Sequence, residues 1–446
     1  MNMMVSRRTM LGGLALAGGF AATTRPALAL VDSGPAFPAT QAFISGFVER
    51  KQLAGTLASI GRGLAAPHYV AAGATALGGS VPVDPDSLWR IYSMTKPVTG
   101  IAAMMLIDRG KLGLDQPIAD LLPAFAKMQV QITPDGSLTE VRPAKTAITV
   151  RHLLTHTAGL GYSIIQKGPI KDAYTKNGLL PGKVTRLPLP GVDNAAVAPS
   201  LAEFADRLAK LPLVYEPGTR WSYSVSLDLL GRVIEVASGR PFDAFLAEEM
   251  FGPLGMTSTF FQVPASEVGR LTTNYAPFGG ALVPIDPAAS SIYLDKPEFP
   301  FGGAGLVSSA RDFDRFLLML AGKGAIGSTR LMSEKTAMLV QAGASRCRAI
   351  QAAPAFLAGA EPPELWRSST RCAGCAVPVM PSISRRIHWI SSGALVRLSC
   401  KTLARREAAG LYRRGIGPRR PAAHRPRWAG RSARRPARAR AGARWH

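Results

Sequence analysis

The sequence predicts an α+β fold, with strands and helices in separate runs rather than regular alternation. Three observations point there. Two short strand-like runs, Thr56–Gly63 and His68–Ala72, are joined by a Gly/Pro-containing turn. Helix-like apolar segments with capping residues dominate from Met94 to Leu320. Composition then changes abruptly near residue 345, so the fold is expected in the first part of the chain.

That change also decides how the charge is read. A formal net charge of +24 over 446 residues suggests an anionic partner such as nucleic acid. Its distribution argues otherwise: from Arg346 to His446 there are 22 Lys+Arg, 21 of them Arg, against 3 Asp+Glu. Residues 1–345 keep 31 basic and 26 acidic residues, an ordinary balance that implies no nucleic-acid partner. All four cysteines, Cys347, Cys372, Cys375 and Cys400, lie in the same last stretch. The body is therefore stabilised by packing rather than disulfides, which suits export in folded form. Cys372-Ala373-Gly374-Cys375 has redox or zinc spacing, but no second Cys-x-x-Cys or His pair is nearby, so no metal or cofactor is expected.

The elements follow in order. Residues 1–29 read as a leader: a twin arginine in Ser6-Arg7-Arg8-Thr9-Met10-Leu11, an apolar run to Ala22, and a small-x-small site at Ala27-Leu28-Ala29. The run is shorter than the roughly 20 apolar residues that span a bilayer, and no other segment qualifies. A periplasmic or secreted protein beginning near Leu30 is expected. Thr40–Lys51 reads as a first helix, ahead of the two strands. Leu88–Tyr92 is a short buried strand, and a helix from Met94 to about Asp108 is closed by Gly110. Asp115–Phe125 is a short helix broken by Pro117 and Pro123, and Pro134-Asp135-Gly136 marks a turn in an irregular stretch. Thr149–Leu160 is a short capped helix closed by Gly159. Residues 163–198, rich in Lys, Pro and Gly, read as a long loop bordering the substrate site. Helices follow at Ser200–Lys210, Ser224–Ser238 and Phe242–Met250. Phe301-Gly302-Gly303-Ala304-Gly305-Leu306 is a glycine-rich turn into a helix at Ser308–Leu320, with a Ser-x-x-Asp start at Ser309–Asp312. It lacks the G-x-x-x-x-G-K-S/T of a phosphate loop, so its glycines are read as close backbone packing.

Chemistry concentrates at Ser93-Met94-Thr95-Lys96. A serine and a lysine three apart at a helix start share one face, so the ammonium reaches the hydroxyl. Ser93 is thereby a candidate nucleophile and N-cap, Lys96 its candidate base, and Pro97 falls where a missing N–H costs nothing. Tyr223, between Trp221 and a polar helix start, is the candidate proton relay, because a phenol held near a lysine can exchange protons with the serine. His152 and His156 are four apart, but the intervening Glu of a zincin is missing, so they are read as structural hydrogen-bonding histidines. A nucleophile-elbow G-x-S-x-G is absent, which argues against an α/β-hydrolase.

Trp89-Arg90-Ile91-Tyr92-Ser93-Met94-Thr95-Lys96-Pro97-Val98-Thr99-Gly100 closely resembles the active-site helix of the serine β-lactamase-like superfamily, which spans class C β-lactamases, D-alanyl-D-alanine carboxypeptidases and family-eight carboxylesterases. Leu153-Leu154-Thr155-His156-Thr157-Ala158-Gly159-Leu160, Glu216–Ser224 and Pro253–Thr257 are similar to further signatures, and the resemblance runs from about Gln41 to Gln341. It implies a β-lactamase/transpeptidase-like architecture: an antiparallel sheet flanked by helices, a mainly helical lobe, and the active site between them. It also implies that Ser93, Lys96 and Tyr223 are catalytic, with Tyr223 matching the tyrosine of the Y-x-N motif.

The chain departs from the lactamase pattern at Val225, where β-lactamases carry an Asn that contacts the lysine and binds the substrate's amide side chain. An apolar residue does neither, and Tyr223–Asp228 looks closer to the family-eight carboxylesterases. The third motif, K/H-T/S-G or W-G-G, is also missing: Lys401-Thr402-Leu403 lacks the glycine, and Ser391-Ser392-Gly393 lacks the cation. Losing that oxyanion donor would cost about 3–4 kcal/mol in the transition state. The domains expected are thus a leader over 1–29, a hydrolase body over 30–345, and an arginine-rich tail over 346–446 that reads as disordered or out of frame, leaving the sheet without its last strands. The function expected is an exported serine hydrolase of small carboxylic esters acting through a Ser93 acyl-enzyme. The alternatives are a β-lactamase or D-alanyl-D-alanine carboxypeptidase-like amidohydrolase, or a catalytically impaired product. The partner is a small ester or lactam substrate.

Overall fold

The computed structural model describes residues 36–180, 182–187 and 196–342, and the backbone of one strand at 386–391. The leader over 1–29, the four cysteines and the rest of the tail lie outside the described residues.

The sheet is built at the start of the chain. Helix α1 (Pro38–Glu49) precedes strands β1 (Gly55–Gly61) and β2 (His68–Gly73), which pair antiparallel with Thr56 opposite Ala72 and Ile60 opposite His68. Side chains on a strand alternate between faces, and this one divides its burial accordingly. Ala58, Val70 and Ile60 pack with Ile44 and Phe43 of α1. Leu57 belongs to the main core on the other face, where the Ser59 hydroxyl lies 2.6 Å from Asp314 of α9 (Ala310–Ala321). Short pairs complete the strands: β3 (Leu88–Arg90) with β8 (Val307–Ser309), β4 (Gln129–Gln131) with β5 (Val141–Pro143), β6 (Asn274–Phe278) with β7 (Ala281–Asp286), and β9 (Ala325–Ile326) with β10 (Thr329–Arg330).

The helical part is organised around α6 (Ser226–Ser238), whose apolar side chains are buried against α2 (Thr95–Asp108), α3 (Val150–Leu154), α5 (Leu201–Ala209) and α7 (Phe242–Leu246). α7 runs through a wide turn at Ala247–Phe251 into α8 (Gly252–Leu254). Capping residues fix the helix starts as their chemistry requires: Thr149, Ser200 and Ser309 accept the backbone N–H of His152, Glu203 and Asp312. Among the described residues, no helix is long and apolar enough to cross a membrane.

Three expectations need correction. Residues 163–198 are not wholly loop: α4 (Gly168–Lys176) begins with Pro169 in its first turn and buries Ile170 and Tyr174, a four-residue spacing too short to stand out among lysines. Asp115–Phe125 forms two 3₁₀ turns, Ile118–Asp120 and Pro123–Phe125, because prolines at 117 and 123 allow no longer helix. Within the tail, Arg386–Ser391 forms β11, antiparallel to β1 with Ala58 opposite Trp389. β1 is therefore paired on both sides, and the sheet order is β11–β1–β2. Ile387, Trp389 and Ile390 supply strand-favouring residue types, a signal drowned by the surrounding arginines.

Candidate active site

The chain enters the site along β3. Arg90 is buried and its guanidinium bonds Asp286 Oδ2 at 2.7 Å, Ser291 Oγ at 3.0 Å and the carbonyl of Thr272. This pins the strand immediately before the turn that carries Ser93. Tyr92–Met94 then form one 3₁₀ turn, with Tyr92 in the left-handed region at φ 41°. For a bulky residue that conformation costs about 1–2 kcal/mol. It is held by Asn274, whose Nδ2 donates to the Tyr92 hydroxyl at 2.7 Å, and burial pushes that phenol up to about 12.

Ser93 caps nothing, contrary to its N-cap chemistry; α2 begins at Thr95 after Met94. Its hydroxyl is shared instead between Tyr223 Oη at 2.8 Å and Lys96 Nζ, which donates at 3.2 Å. The three-residue spacing still works because side chains i and i+3 eclipse in a 3₁₀ turn. Ser93 is exposed while Lys96 is 2% exposed, so a reacting carbonyl can approach the hydroxyl but water has little access to the amine.

Lys96 Nζ also donates to the Gly303 carbonyl at 2.6 Å and lies over the rings of Tyr223 and Tyr162, 4.7 and 5.9 Å from their centroids. Among the described residues, no carboxylate is within ion-pair distance of it. The Phe301–Leu306 turn is pressed between α2 and α6. Thr99 Oγ1 donates to the Gly302 carbonyl at 2.7 Å, the Leu306 N–H reaches Thr95 Oγ1 at 3.1 Å, and the Gly303 N–H reaches Asp228 Oδ1 at 2.8 Å. A Cβ on Gly303 would lie 2.7 Å from Asp228 Oδ2, so the glycines serve close backbone packing, as read from the sequence. Burial raises the Asp228 carboxyl to about 6, with Lys96 and the Gly303 N–H pulling against it. Among the described residues its Oδ2 has no hydrogen-bond partner.

Tyr223 is delivered by an extended segment laid along residues 156–161. Ser222 N–H donates to the His156 carbonyl at 2.9 Å and Val225 N–H to that of Gly161 at 3.2 Å. Gly159, at φ 76°, lets the chains close: a Cβ there would sit 1.9 Å from the Tyr215 oxygen. His156 Nδ1 accepts the Ser224 N–H at 3.3 Å and lies 3.1 Å from Ser224 Oγ, and its ring is 5.0 Å from that of Tyr223. Burial, reinforced by the Lys96 charge, pushes the imidazole down to about 3, so it stays neutral. His152 closes the capping box of α3, its Nδ1 accepting the Thr149 N–H at 3.2 Å. Each histidine thus accepts a backbone N–H, that of Thr149 for His152 and that of Ser224 for His156.

The structure thus brings together Ser93, Lys96 and Tyr223 and adds Asp228, Gly303 and Tyr162, which sequence reasoning had not assigned. Asp228 did carry a signal, as a lone carboxylate inside the apolar run Leu227-Asp228-Leu229-Leu230. Val225 is fully buried in the main core. Beside Tyr92 lies a cavity of about 290 Å³ lined by Phe261, Tyr293, Phe301 and Gly182–Arg186, so part of the 163–198 segment shares a cavity wall with Tyr92.

The Beta-lactamase family model matches residues 40–349. Protein Rv1367c of Mycobacterium tuberculosis is 38% identical over 264 residues, 58% of this chain and 60% of that protein. Esterase EstB of Burkholderia gladioli is 34% identical over 251 residues, 53% of this chain and 57% of that one. The chain spans about 60% of the length of these curated relatives. Among solved structures, EstCE1, described as a hydrolase with promiscuous acyltransferase activity, superposes with a TM-score of 0.54 at 26% identity, covering 68% of this chain and 76% of that one. The expected β-lactamase/transpeptidase-like α+β fold is the fold observed.

Proposed function

Because the chain belongs to the β-lactamase family, we propose that it is an exported serine hydrolase that cleaves small carboxylic esters through an acyl-enzyme on Ser93. Serine-hydrolase and acyl-transfer chemistry is what the family and the esterase relative support. The observation that carries the reading is the Ser93 hydroxyl, exposed and bonded at once to Lys96 and Tyr223. In the reaction, with Lys96 as the neutral amine, Ser93 Oγ attacks the ester carbonyl and gives its proton to Lys96; as the carbon–oxygen bond breaks, that proton passes through Tyr223 to the departing alcohol. Water then attacks the acyl-enzyme, giving up its proton by the same route and releasing the acid. An alcohol in place of water would give acyl transfer, in keeping with the activity named for EstCE1.

Val225 supports an ester over a lactam or a D-alanyl peptide, since it offers no amide to an acylamino side chain. The twin arginine supports export. For the tail, the proposal remains a reading-frame break near residue 345 that replaces the third motif; re-reading the encoding DNA over residues 340–350 tests it, and failure to find W-G-G or H-T-G in another frame would reject it. The catalytic assignment is tested by mass spectrometry after labelling with an aryl phosphonate. The adduct is expected on Ser93 and should vanish in Ser93→Ala; an adduct on any other residue overturns it.

A further inference from the structure

The site contains a buried carboxylate to which the chemistry above gives no part. Lys96 lacks the amide that Val225 removes, yet it is held in one position. Its hydrogen-bond acceptor besides Ser93 is the Gly303 carbonyl, at 2.6 Å. The N–H of the same residue, which belongs to the preceding peptide group, donates to Asp228 Oδ1 at 2.8 Å. The carboxylate and the lysine nitrogen thus meet the N–H and the C=O of one residue, so the carboxylate is placed to compensate the charge that Lys96 gains on taking the Ser93 proton. Asp228 lies on α6 three residues beyond Val225, so it rises from almost the same helix face as the replaced amide.

We propose that Asp228 is a positioning residue for acyl transfer, holding Lys96 against Ser93 through Gly303 in place of the missing amide. This rests on the Ser93 reading above. Three features favour it over a purely structural role. Asp228 is 1% exposed and Oδ2 has no hydrogen-bond partner among the described residues, so the carboxylate carries a desolvation cost that packing alone does not explain. Lys96, equally buried, has no direct ion-pair partner among the described residues, and Asp228 meets it from α6 across the backbone of Gly303. Gly303 has no room for a side chain because Asp228 fills the space, so the turn and the carboxylate are built to each other. The other titratable groups around the carboxylate, Tyr162 and beyond it Tyr223, carry no compensating positive charge.

The test compares Asp228→Ala and Asp228→Asn with the wild-type chain, using kcat and KM for p-nitrophenyl acetate, the Ser93 phosphonylation rate, and thermal melting. Asn keeps an acceptor for Gly303 but no charge; Ala keeps neither. Kcat is expected to fall about 10-fold in Asp228→Asn and about 100-fold in Asp228→Ala, with KM changed less than about twofold. Asp228→Asn should melt at or above the wild-type temperature at pH 7, because a buried charge is relieved. Activity losses that merely track a fall in melting temperature, or full kcat in Asp228→Ala, would overturn the proposal. A crystal structure of Asp228→Ala gives a reading independent of turnover: the Gly303 peptide should rotate and the Lys96–Ser93 contact open, and an unchanged contact overturns the inference. If wild-type Ser93 fails to label, the functional reading falls while that structural comparison still decides the positioning role.

Discussion

Lys96 and Asp228 do not touch; they bind the carbonyl and the N–H of the same residue, Gly303, from opposite sides. The arrangement ties the reactive end of α2 to α6 through a turn with no side chain to spare. It also loads the centre of the fold with a charge that the fold would be more stable without.

That charge gives a pH dependence with a definite sign. A carboxyl raised in the folded state from about 3.8 to about 6 binds its proton more tightly folded than unfolded, so stability is fully present below about pH 4 and is lost as pH rises through 6. The difference amounts to about 3 kcal/mol. The melting temperature of Asp228→Asn minus that of wild type should grow between pH 4 and pH 7, and a difference that stays flat would show that Asp228 carries no such shift.

His156 acts in the opposite sense. Its folded value is depressed to about 3, so the stability it contributes is present above its unfolded value near 6.5 and drains away as pH falls toward 3. His156→Asn should remove much of the acid lability while weakening the hold on Ser224. Denaturant midpoints at pH 4 and pH 7 for both proteins measure it; equal losses on acidification would reject the assignment.

Tyr223→Phe should leave the fold intact, since the phenol's hydrogen bond goes to an exposed serine. Proton relays contribute about 10²-fold or more, so ester kcat should drop by at least about 100-fold with little change in KM. A mutant retaining a third of wild-type kcat would remove Tyr223 from the relay.

Selectivity follows from Val225. Its side chain is sealed in the core and its N–H is spent on Gly161, so the position presents nothing polar to an acylamino group. Hydrolysis of nitrocefin should be far slower than that of a p-nitrophenyl ester. Comparable kcat/KM values would return the lactam reading to first place.

The meeting of Ser93, Lys96 and Tyr223 was legible because short-range spacing points to it: Ser93 and Lys96 are one turn apart, and Tyr223 stands between flanking signatures. The starts of α3, α5 and α9 were legible for the same reason, as Thr149, Ser200 and Ser309 satisfy donors three residues on. Asp228 was not assigned, because its partner is 75 positions away and a single buried carboxylate has no period. α4 escaped because two buried residues among lysines fall below any helical pattern, and β11 because its pairing with β1 joins the two ends of the described chain.

That last pairing carries a consequence for truncation. β1 is almost wholly buried, and β11 covers its edge from Thr56 to Gly61. Ending the chain at residue 385 would strip β1 of one row of backbone partners and leave N–H and C=O groups open along six residues, a ready template for pairing with another copy. Such a chain should elute as soluble aggregate and bind thioflavin T, whereas a chain ending at residue 391 should elute as the full protein does. If both truncations behave alike, β11 does not guard that edge, and the arginine-rich segment contributes nothing to the sheet.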